Sequence, residues 1–176
     1  MQSARMGLVG KPSEWLVASI PDFETISHIW GLQVVEVDFD NYFQQVLQAD
    51  SAKNMESLAA FISGATHISS PDQTDFKKSI DIYIGLQEVI EEHKLDALSV
   101  RCFDLVTRYQ ATGCYALSQL NDRVMAGCKG DLVSTIGMLW AKHLLEAQTW
   151  MANPARIDKE NNKLRLAHCT ISLGMT

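Results

Sequence analysis

Short apolar runs alternate with longer amphipathic stretches along this chain, and this alternation constrains its fold more than any other feature. The runs lie at 6–10, 33–38, 97–103, 123–128 and 148–153. Buried strands of a parallel sheet read as continuous apolar runs, and helices carry the chain from one strand to the next. The pattern therefore predicts an α/β fold with three layers, α/β/α, around a mainly parallel, Rossmann-like sheet.

Two stretches between the predicted strands have helical periodicity. In "DFKKSIDIYIGLQEVIEEHK" (75–94), a spacing of 3.6 residues predicts an amphipathic helix that covers the sheet. The side chains on its predicted inner face are Phe76, Ile80, Tyr83, Ile84, Gln87 and Ile90. A second helix is predicted over "DSAKNMESLAAFISG", with a cap at Asp50 or Ser51 and an end near Gly64.

The last third of the chain has a different pattern. A helix is predicted over "GDLVSTIGMLWAKHLLEA", followed by two strands, "QTWMANPARID" and "KLRLAHCTISL", around the turn "KENN". The second of these strands reads as buried, and the sequence ends soon after it, so we expect a fragment of something longer. We predict a Rossmann-like domain over 1–128, and over 129–176 the start of another domain, packed on the first or on a partner chain.

Composition limits the classes of partner. The 176 residues are 47% hydrophobic, enough to fill a core, and 15 basic against 21 acidic side chains give a net charge of -6. We find no basic run with interleaved aromatic residues, which argues against nucleic acid as a partner. No stretch reaches the roughly 20 apolar residues that a membrane span needs, and the N-terminus lacks a signal-peptide pattern. We therefore expect no membrane partner and a cytoplasmic location.

The four cysteines do not have the spacing of a metal or redox motif. Cys102, Cys114, Cys128 and Cys169 are far apart in sequence and form no C-x-x-C pair. They lie in or beside apolar segments, so we predict buried, reduced thiols.

The stretch "GLVGKPS" (7–13) follows the first predicted strand. It lacks the four-residue separation between the first glycine and the Gly-Lys pair that a phosphate-binding loop requires. One interpretation is a tight turn in which Pro12 and Ser13 open a short helix through Trp15. The other is a sugar contact from Ser13, Glu14 or Trp15, because ligands of open α/β sheets bind at the carboxyl ends of strands.

Two aspartates follow predicted strands directly. Asp104 comes after "ALSVRCF" and Asp131 comes after "RVMAGC", so both carboxylates are expected at the carboxyl edge of the sheet. If these strands are neighbours, the carboxylates can face one cleft. Each residue has a structural alternative, since Asp131 is a good N-cap for the following helix and Asp104 can cap the turn "DLVTRY". His168, in the alternating run "LRLAHCTI", is either a core or edge residue or a ligand.

Five blocks, taken in order, resemble the L-fucose isomerase-like proteins within the L-fucose and L-arabinose isomerase group. The blocks are "GLVGKPSEWLVAS", "VRCFDLVTRYQATGCYALSQLND", "AGCKGDLVSTIGMLW", "MANPARID" and "LAHCTISLGM". The likeness spans nearly the whole chain and is densest over 100–175. Members of this group are larger, multidomain sugar isomerases, so the resemblance implies a middle domain plus the opening of a C-terminal domain.

The resemblance also implies a chemistry. It implies aldose to ketose isomerisation with a divalent metal, usually manganese, held by acidic residues and a histidine. By position, Asp104 and Asp131 correspond to catalytic and metal-binding carboxylates, and His168 corresponds to a histidine of the pattern. Lys129 replaces the glutamate of a "GCEGD"-like block. An ammonium about 5 Å from a divalent ion opposes it by several kcal/mol even at an effective dielectric near 20, so metal binding is expected to be weak or lost unless Lys129 points to solvent and leaves the other ligands intact.

Lys129 is then expected to lie between Asp104 and Asp131 as an internal cation that neutralises both. The expected function is that of a fragment or relative of a metal-dependent sugar isomerase. Such an enzyme is an intramolecular oxidoreductase that acts on a small sugar, and we expect this chain to self-associate as a homo-oligomer and to be inactive alone. The alternative is a non-catalytic sugar-binding or oligomerisation module.

Overall fold

A four-stranded parallel sheet forms the centre of the fold. The computed structural model describes residues 3–48, 51–69 and 73–175. The strands are β1 (Arg5–Val9), β2 (Gln33–Val37), β3 (Ala97–Val100) and β4 (Met125–Cys128). Their order is β2-β1-β3-β4, and every neighbouring pair is parallel. The prediction of a parallel sheet with helices on both faces is confirmed.

Seven α-helices lie in the described ranges. They are α1 (Phe23–Trp30), α2 (Phe39–Gln48), α3 (Ser51–Gly64), α4 (Gln73–His93), α5 (Cys102–Tyr109), α6 (Cys114–Leu120) and α7 (Leu132–Leu145). Helices α1 and α7 pack on one face of the sheet, whereas α2, α4, α5 and α6 pack on the other. Helix α3 packs outside α4. None of the described helices is long and apolar enough to cross a bilayer.

Alternation along the strands divides the core in two. Met6 and Leu8 of β1 pack with α1 and α7, whereas Leu98 and Val100 of β3 pack with the helices of the other face. All residues of β3 and β4 are buried. Burial on both faces explains why these strands read as continuous apolar runs rather than as alternating ones.

Helix α4 is buried on two sides, which the predicted single face did not anticipate. Ile82 and Leu86 pack in the core beside the sheet. Ile80 and Ile84, which were expected to face the sheet, pack instead against Leu58 of α3. The prediction of the helix is confirmed, and Tyr83 and Ile90 of its predicted inner face do pack against the core beside the sheet. The prediction was wrong for Ile80 and Ile84, because α3 adds an outer layer that covers them. The predicted cap of α3 at Asp50 lies outside the described residues.

The C-terminal part confirms the helix and the strand pair with two corrections. The strands are β5 (Asn153–Asp158) and β6 (Lys163–Ala167), which pair antiparallel in a two-stranded sheet of their own. The predicted strand at 148–153 is therefore wrong, because β5 begins only at Asn153. The prediction that the last strand is buried is also wrong, because β6 is exposed. Helix α7 packs on the central sheet. The domain boundary between 128 and 129 stays a prediction.

The loop after β1 crosses the end of β3 and closes on the turn after β4. The Ser13 backbone N–H donates to the Lys129 carbonyl at 3.0 Å, and the Gly130 N–H donates to the Val100 carbonyl at 3.0 Å. Lys129 and Gly130 have φ values of 68° and 69°, in the left-handed region. A Cβ on Gly130 would lie 2.8 Å from the Pro12 Cα. The backbone of this turn thus needs glycine at 130.

The predicted short helix through Trp15 is wrong. Residues 14 and 15 form a turn closed by a hydrogen bond from the Leu16 N–H to the Ser13 carbonyl at 3.0 Å, and a 3-10 helix follows at Val17–Ser19. The backbone N–H of Ser13 is already engaged by the Lys129 carbonyl. This contact holds the loop against the turn after β4 instead of starting a helix.

We predict that Gly130→Ala lowers the free energy of unfolding by about 2 kcal/mol or more, because it combines left-handed backbone strain with a clash against backbone atoms. Urea denaturation followed by circular dichroism measures the change. The control is Gly137→Ala in α7, where an added Cβ meets nothing within 4 Å. That substitution should raise stability by about 0.5–1 kcal/mol. Equal effects of the two substitutions would contradict the account of the turn.

Candidate functional site

Three cavities lie along the edge where the parallel strands end. The Arg101 cavity (about 590 Å³) includes Gly10, Asp38 and Arg101, which follow β1, β2 and β3. The Lys129 cavity (about 560 Å³) and the thiol cavity (about 330 Å³) both include Lys129 and His168. The order of strands reverses between β1 and β3. Open α/β sheets bind ligands at such a point, so this edge is the candidate site.

Arg101 joins the loop after β1 to helix α5. Its Nε donates to Asp104 Oδ1 at 2.8 Å, its Nη1 donates to the Pro12 carbonyl at 3.0 Å, and its Nη2 donates to Glu14 Oε1 at 2.7 Å. A planar guanidinium suits this forked arrangement. The hydrogen bond from Arg101 lowers the pKa of the Glu14 carboxyl.

Asp104 lies in the first turn of α5 and lines the Arg101 cavity. The N-cap of that helix is Arg101, and no side chain caps it, so the alternative that Asp104 is a cap is wrong. The cavity is lined by charges of both signs. Its charged residues are Lys11, Glu14, Glu36, Asp38, Asp40, Arg101, Asp104 and Arg108.

Asp131 is the N-cap of α7, as the sequence suggested. Its carboxylate accepts from the Ser134 backbone N–H at 2.9 Å and from Ser134 Oγ at 2.8 Å. The residue is only 7% exposed. The capping interpretation is therefore confirmed, and Asp131 fixes the start of α7 directly after the Lys129–Gly130 turn.

His168 and Lys129 meet at the wall that the Lys129 and thiol cavities share. The His168 Nδ1 lies 2.8 Å from Thr170 Oγ1. Partial burial, and then the positive charge of Lys129, lower the pKa of the His168 imidazole. A neutral imidazole can accept a proton or coordinate a metal ion, and both properties suit a functional residue.

Asn121, which was not predicted as a site residue, brings His168 to this edge. Its buried side-chain amide donates to the carbonyls of Ala126 and Thr170, each at 3.0 Å, and accepts from the Ala126 N–H at 2.7 Å. These bonds attach the segment after β6 to β4. A single asparagine beyond a helix carries no sequence signal for such a role.

Lys129 does not join Asp104 and Asp131. Asp104 pairs with Arg101, whereas both oxygens of Asp131 bond to Ser134. None of the ion pairs found in the described part of the chain includes Lys129. The two aspartates also line different cavities. The expectation of an internal cation between them is therefore wrong.

The described side chains do not supply a full ligand set for the metal that the resemblance implies. Within 3–48, 51–69 and 73–175, no group of three or more histidine, cysteine, aspartate or glutamate side chains could hold a metal ion. Asp131 and His168 share the Lys129 cavity, but Asp104 does not line it. The roles of Asp104, Asp131 and His168 as metal ligands stay predictions.

The two predicted sugar contacts have contrasting environments. Ser13 is 1% exposed, and its Oγ has no hydrogen-bond partner among the described residues. Trp15 is 57% exposed and packs edge-to-face on Phe103, with 5.5 Å between ring centroids. The Trp15 ring is thus accessible at this edge of the sheet, whereas Ser13 lies beneath it. Both contacts remain predictions.

All four cysteines of the chain line the thiol cavity. They form two pairs, with Sγ–Sγ distances of 2.8 Å for Cys102–Cys128 and 2.9 Å for Cys114–Cys169. The thiols are free, as predicted, and Cys102 and Cys128 are buried. The prediction of burial was wrong for Cys169, which is exposed, and for Cys114, which is half-buried. The two cysteines of each pair are 26 and 55 residues apart, and such separations do not form a recognisable sequence motif.

Comparison with known proteins gives a distant relationship. No protein-family model matches the chain. Over 96% of its length it is 22% identical to a sulfoquinovose isomerase of Alkalicoccus urumqiensis and 21% identical to one of Clostridium sp. (strain MSTE9). It spans about two fifths of these relatives, 39% and 38% of their lengths. A relationship to sugar isomerases is thus supported at low identity, whereas the narrower L-fucose isomerase-like assignment is not confirmed.

We predict that Lys129→Met raises the pKa of His168, because it removes the cation that disfavours the imidazolium. NMR titration of the imidazole carbon and proton shifts measures this pKa. Lys53→Met on α3, outside α4, is the control and should leave the His168 pKa unchanged. A His168 pKa that is the same in both variants would contradict the proposed interaction.

The same shift predicts a pH dependence of stability. The pKa of His168 in the folded chain lies below its ordinary value of 6.5, so unfolded chains bind the proton more tightly. The contribution of the neutral His168 imidazole to the free energy of unfolding is therefore fully present above pH 6.5. It is lost as the pH falls through the pKa of His168 in the folded chain. Lys129→Met should reduce this loss in urea denaturation across that range.

Proposed function

We propose that this chain is part of an aldose–ketose sugar isomerase and that the carboxyl edge of its sheet contributes to the sugar-binding site. The observation that carries the proposal is the similarity to two sulfoquinovose isomerases along 96% of the chain. Because the chain spans only about two fifths of these relatives, the activity is proposed for the larger protein, and this chain alone is expected to be inactive.

The Arg101 cavity supports the proposal through its polar lining. Aldose–ketose isomerisation moves a proton between two neighbouring carbons through an enediol, so it needs a base within hydrogen-bond reach of the sugar. Asp104 lines this open cavity, with its side chain 34% exposed. Asp131 is buried, and both of its carboxylate oxygens accept hydrogen bonds from Ser134. We therefore assign proton transfer to Asp104 and the positioning of the Lys129–Gly130 turn to Asp131.

The exposed indole of Trp15 supports a sugar contact near this cavity. Arg101 holds Glu14, the residue beside Trp15, through its Nη2. A flat aromatic face can cover the C–H groups of a pyranose, whereas the polar rim binds the hydroxyls. We propose Trp15 as such a platform. A contact from Ser13 would require the loop after β1 to move, since Ser13 is buried.

The name of the relatives suggests the substrate class. Sulfoquinovose is a hexose that carries a sulfonate, so its site needs a cation. In the Arg101 cavity, Arg101 is paired with Glu14 and Asp104, and Arg108 is paired with Asp40. Lys11 is exposed and lines the same cavity. We assign the contact with a sulfonate to Lys11.

Titration calorimetry with sulfoquinovose and with glucose, which has a hydroxyl in place of the sulfonate, tests these assignments. We expect sulfoquinovose to bind at least about tenfold more tightly, and Lys11→Met to remove this difference while Lys53→Met preserves it. The samples should not isomerise either sugar when manganese is added. Equal binding of the two sugars to the unsubstituted chain would refute the role of Lys11, and turnover would refute the expected inactivity.

Manganese binding by this chain is proposed to be weak, because Lys129 lies where its charge acts on His168. Lys129→Glu would place a carboxylate beside Asp131 and His168 in the Lys129 cavity. We predict that this substitution raises manganese affinity at least about tenfold, or more than about 1.4 kcal/mol. Lys129→Met, which removes the charge without adding a ligand, is the matched control and should gain less. Titration of manganese chloride into the three proteins decides the matter, and equal affinities would show that position 129 does not influence metal binding.

A second candidate function is that of an oligomerisation module. The sheet of β5 and β6 exposes Ile157, Leu164 and Leu166. Within the described chain these two strands pair only with each other. Exposed apolar side chains on a sheet favour contact with another protein surface, including a second copy of this chain. Absence of binding to any sugar or to manganese in the titrations would favour this candidate.

A further inference from the structure

The thiol cavity holds a chemistry that sugar isomerisation does not use. Two cysteine pairs, a lysine and a histidine line one apolar space of about 330 Å³. The pairs bring together four different elements, since Cys102 begins α5, Cys128 ends β4, Cys114 begins α6 and Cys169 follows β6. Folding therefore places each sulfur beside a distant partner. Closely spaced thiols are reactants for disulfide formation when an oxidant is present.

Cys102 has the surroundings of a reactive cysteine. It is the first residue of the eight-residue helix α5, so its sulfur lies at the positive end of the helix. A hydrogen bond from Cys128, and then backbone N–H groups of Lys129 and Cys102 and the Lys129 charge, lower the pKa of the Cys102 thiol against the opposing effect of burial. Thiolates rather than thiols are nucleophiles, so these surroundings favour Cys102 over Cys128 as the attacking sulfur.

The second pair offers an internal comparison. Cys169 is exposed, yet burial of its sulfur and the bond with Cys114 raise the pKa of its thiol to about 11. Accessibility would favour oxidation of Cys169, whereas thiolate character would favour Cys102. The order in which the two pairs react therefore distinguishes a prepared site from simple exposure.

We propose that Cys102 and Cys128 form a dithiol site that reacts with hydrogen peroxide, with Cys102 as the attacking residue and Cys128 as the resolving residue. The proposal rests on the 2.8 Å approach of the two sulfurs, the helix terminus at Cys102 and the cavity that both sulfurs line. It does not depend on a sugar or a metal, so it is independent of the proposed function.

The reaction balances with peroxide as the oxidant. The Cys102 thiolate attacks one peroxide oxygen, so that an S–O bond forms, the O–O bond breaks, and the leaving hydroxide takes a proton to become water. The Cys128 sulfur then attacks Cys102 Sγ, forming the S–S bond and breaking the S–O bond. The released hydroxide takes the Cys128 proton and leaves as a second water. Two thiols are oxidised to one disulfide, and one peroxide is reduced to two waters.

Intramolecular capture follows from the geometry. A sulfenic acid on Cys102 would form within contact distance of Cys128, which lies 2.8 Å away in the reduced chain. The disulfide would join the end of β4 to the start of α5, directly beside the Lys129–Gly130 turn. Oxidation would thus reshape the wall that Lys129 and His168 share.

The experiment treats the reduced 176-residue chain with stoichiometric hydrogen peroxide at neutral pH, stops the reaction with iodoacetamide at intervals, and maps peptides by mass spectrometry. We expect the first product to lose the mass of two hydrogens and to contain a Cys102–Cys128 disulfide. Cys102→Ser should slow the loss of the first thiol pair at least about fivefold, because it removes the proposed attacking sulfur at the start of α5. Cys114→Ser is the matched control and should leave the first step unchanged.

Cys128→Ser separates the two roles. Its hydroxyl can still donate to the Cys102 sulfur but cannot resolve the sulfenic acid, so dimedone should label Cys102 in this variant and not in the unsubstituted chain. Formation of the Cys114–Cys169 disulfide first, or equal rates for the unsubstituted chain and Cys102→Ser, would overturn the proposal. The order of products in the unsubstituted chain decides this even if a variant fails to fold.

Discussion

The side-chain amide of Asn121 determines which residues meet at the candidate site. It bonds to the Ala126 backbone through both of its polar atoms and to the carbonyl of Thr170. Ser118 donates to the Ile171 carbonyl, and Asp122 accepts from the Gly174 N–H at 3.0 Å, so the neighbours of Asn121 hold the same segment. A buried donor left without its partner costs about 1–3 kcal/mol, which makes this attachment strong for its size. His168 and Cys169 reach the sheet because the residues after them are fixed there.

Arg101 and Lys129 have different partners at this edge, and this difference organises the site. Arg101 is satisfied by carboxylates and a carbonyl, and it links the loop after β1 to α5. Lys129 acts instead on neutral or weakly acidic groups, since its charge lowers the pKa values of His168 and Cys102. A positive charge in this position disfavours a protonated imidazole and favours a thiolate.

Buried strands and long helices could be predicted from the sequence, whereas the short helices and most contacts could not. Strands β1 and β4 are buried apolar runs, and α4 and α7 extend over 21 and 14 residues, enough for periodicity to be visible. Helices α5 and α6 have only 8 and 7 residues, about two turns each, so they carry little periodic signal. Helix α1 was not predicted, although it carries two local signals, a cap at Asp22 and a left-handed glycine at Gly31.

The same limit applies to the candidate site. The cap at Asp131 is a local interaction with a residue three positions away, so it was readable from the sequence. The pairing of Arg101 with Glu14, the thiol pairs and the attachment at Asn121 join residues far apart in the chain. Such contacts depend on how the strands are ordered, and no pattern within one segment encodes that order. The prediction that Lys129 lies between the two aspartates was wrong because Asp104 forms its ion pair with Arg101 instead.

The hairpin of β5 and β6 has a consequence for how the chain opens. Both of its faces meet water, and Ile157 remains 68% exposed, so its strands gain little hydrophobic free energy from pairing. Its local free energy of opening is then set by contacts at its base rather than by the core. Strand separation there can occur while the central sheet stays intact, on a timescale shorter than that of global unfolding. The backbone amides of this hairpin would therefore exchange with solvent long before those of β3.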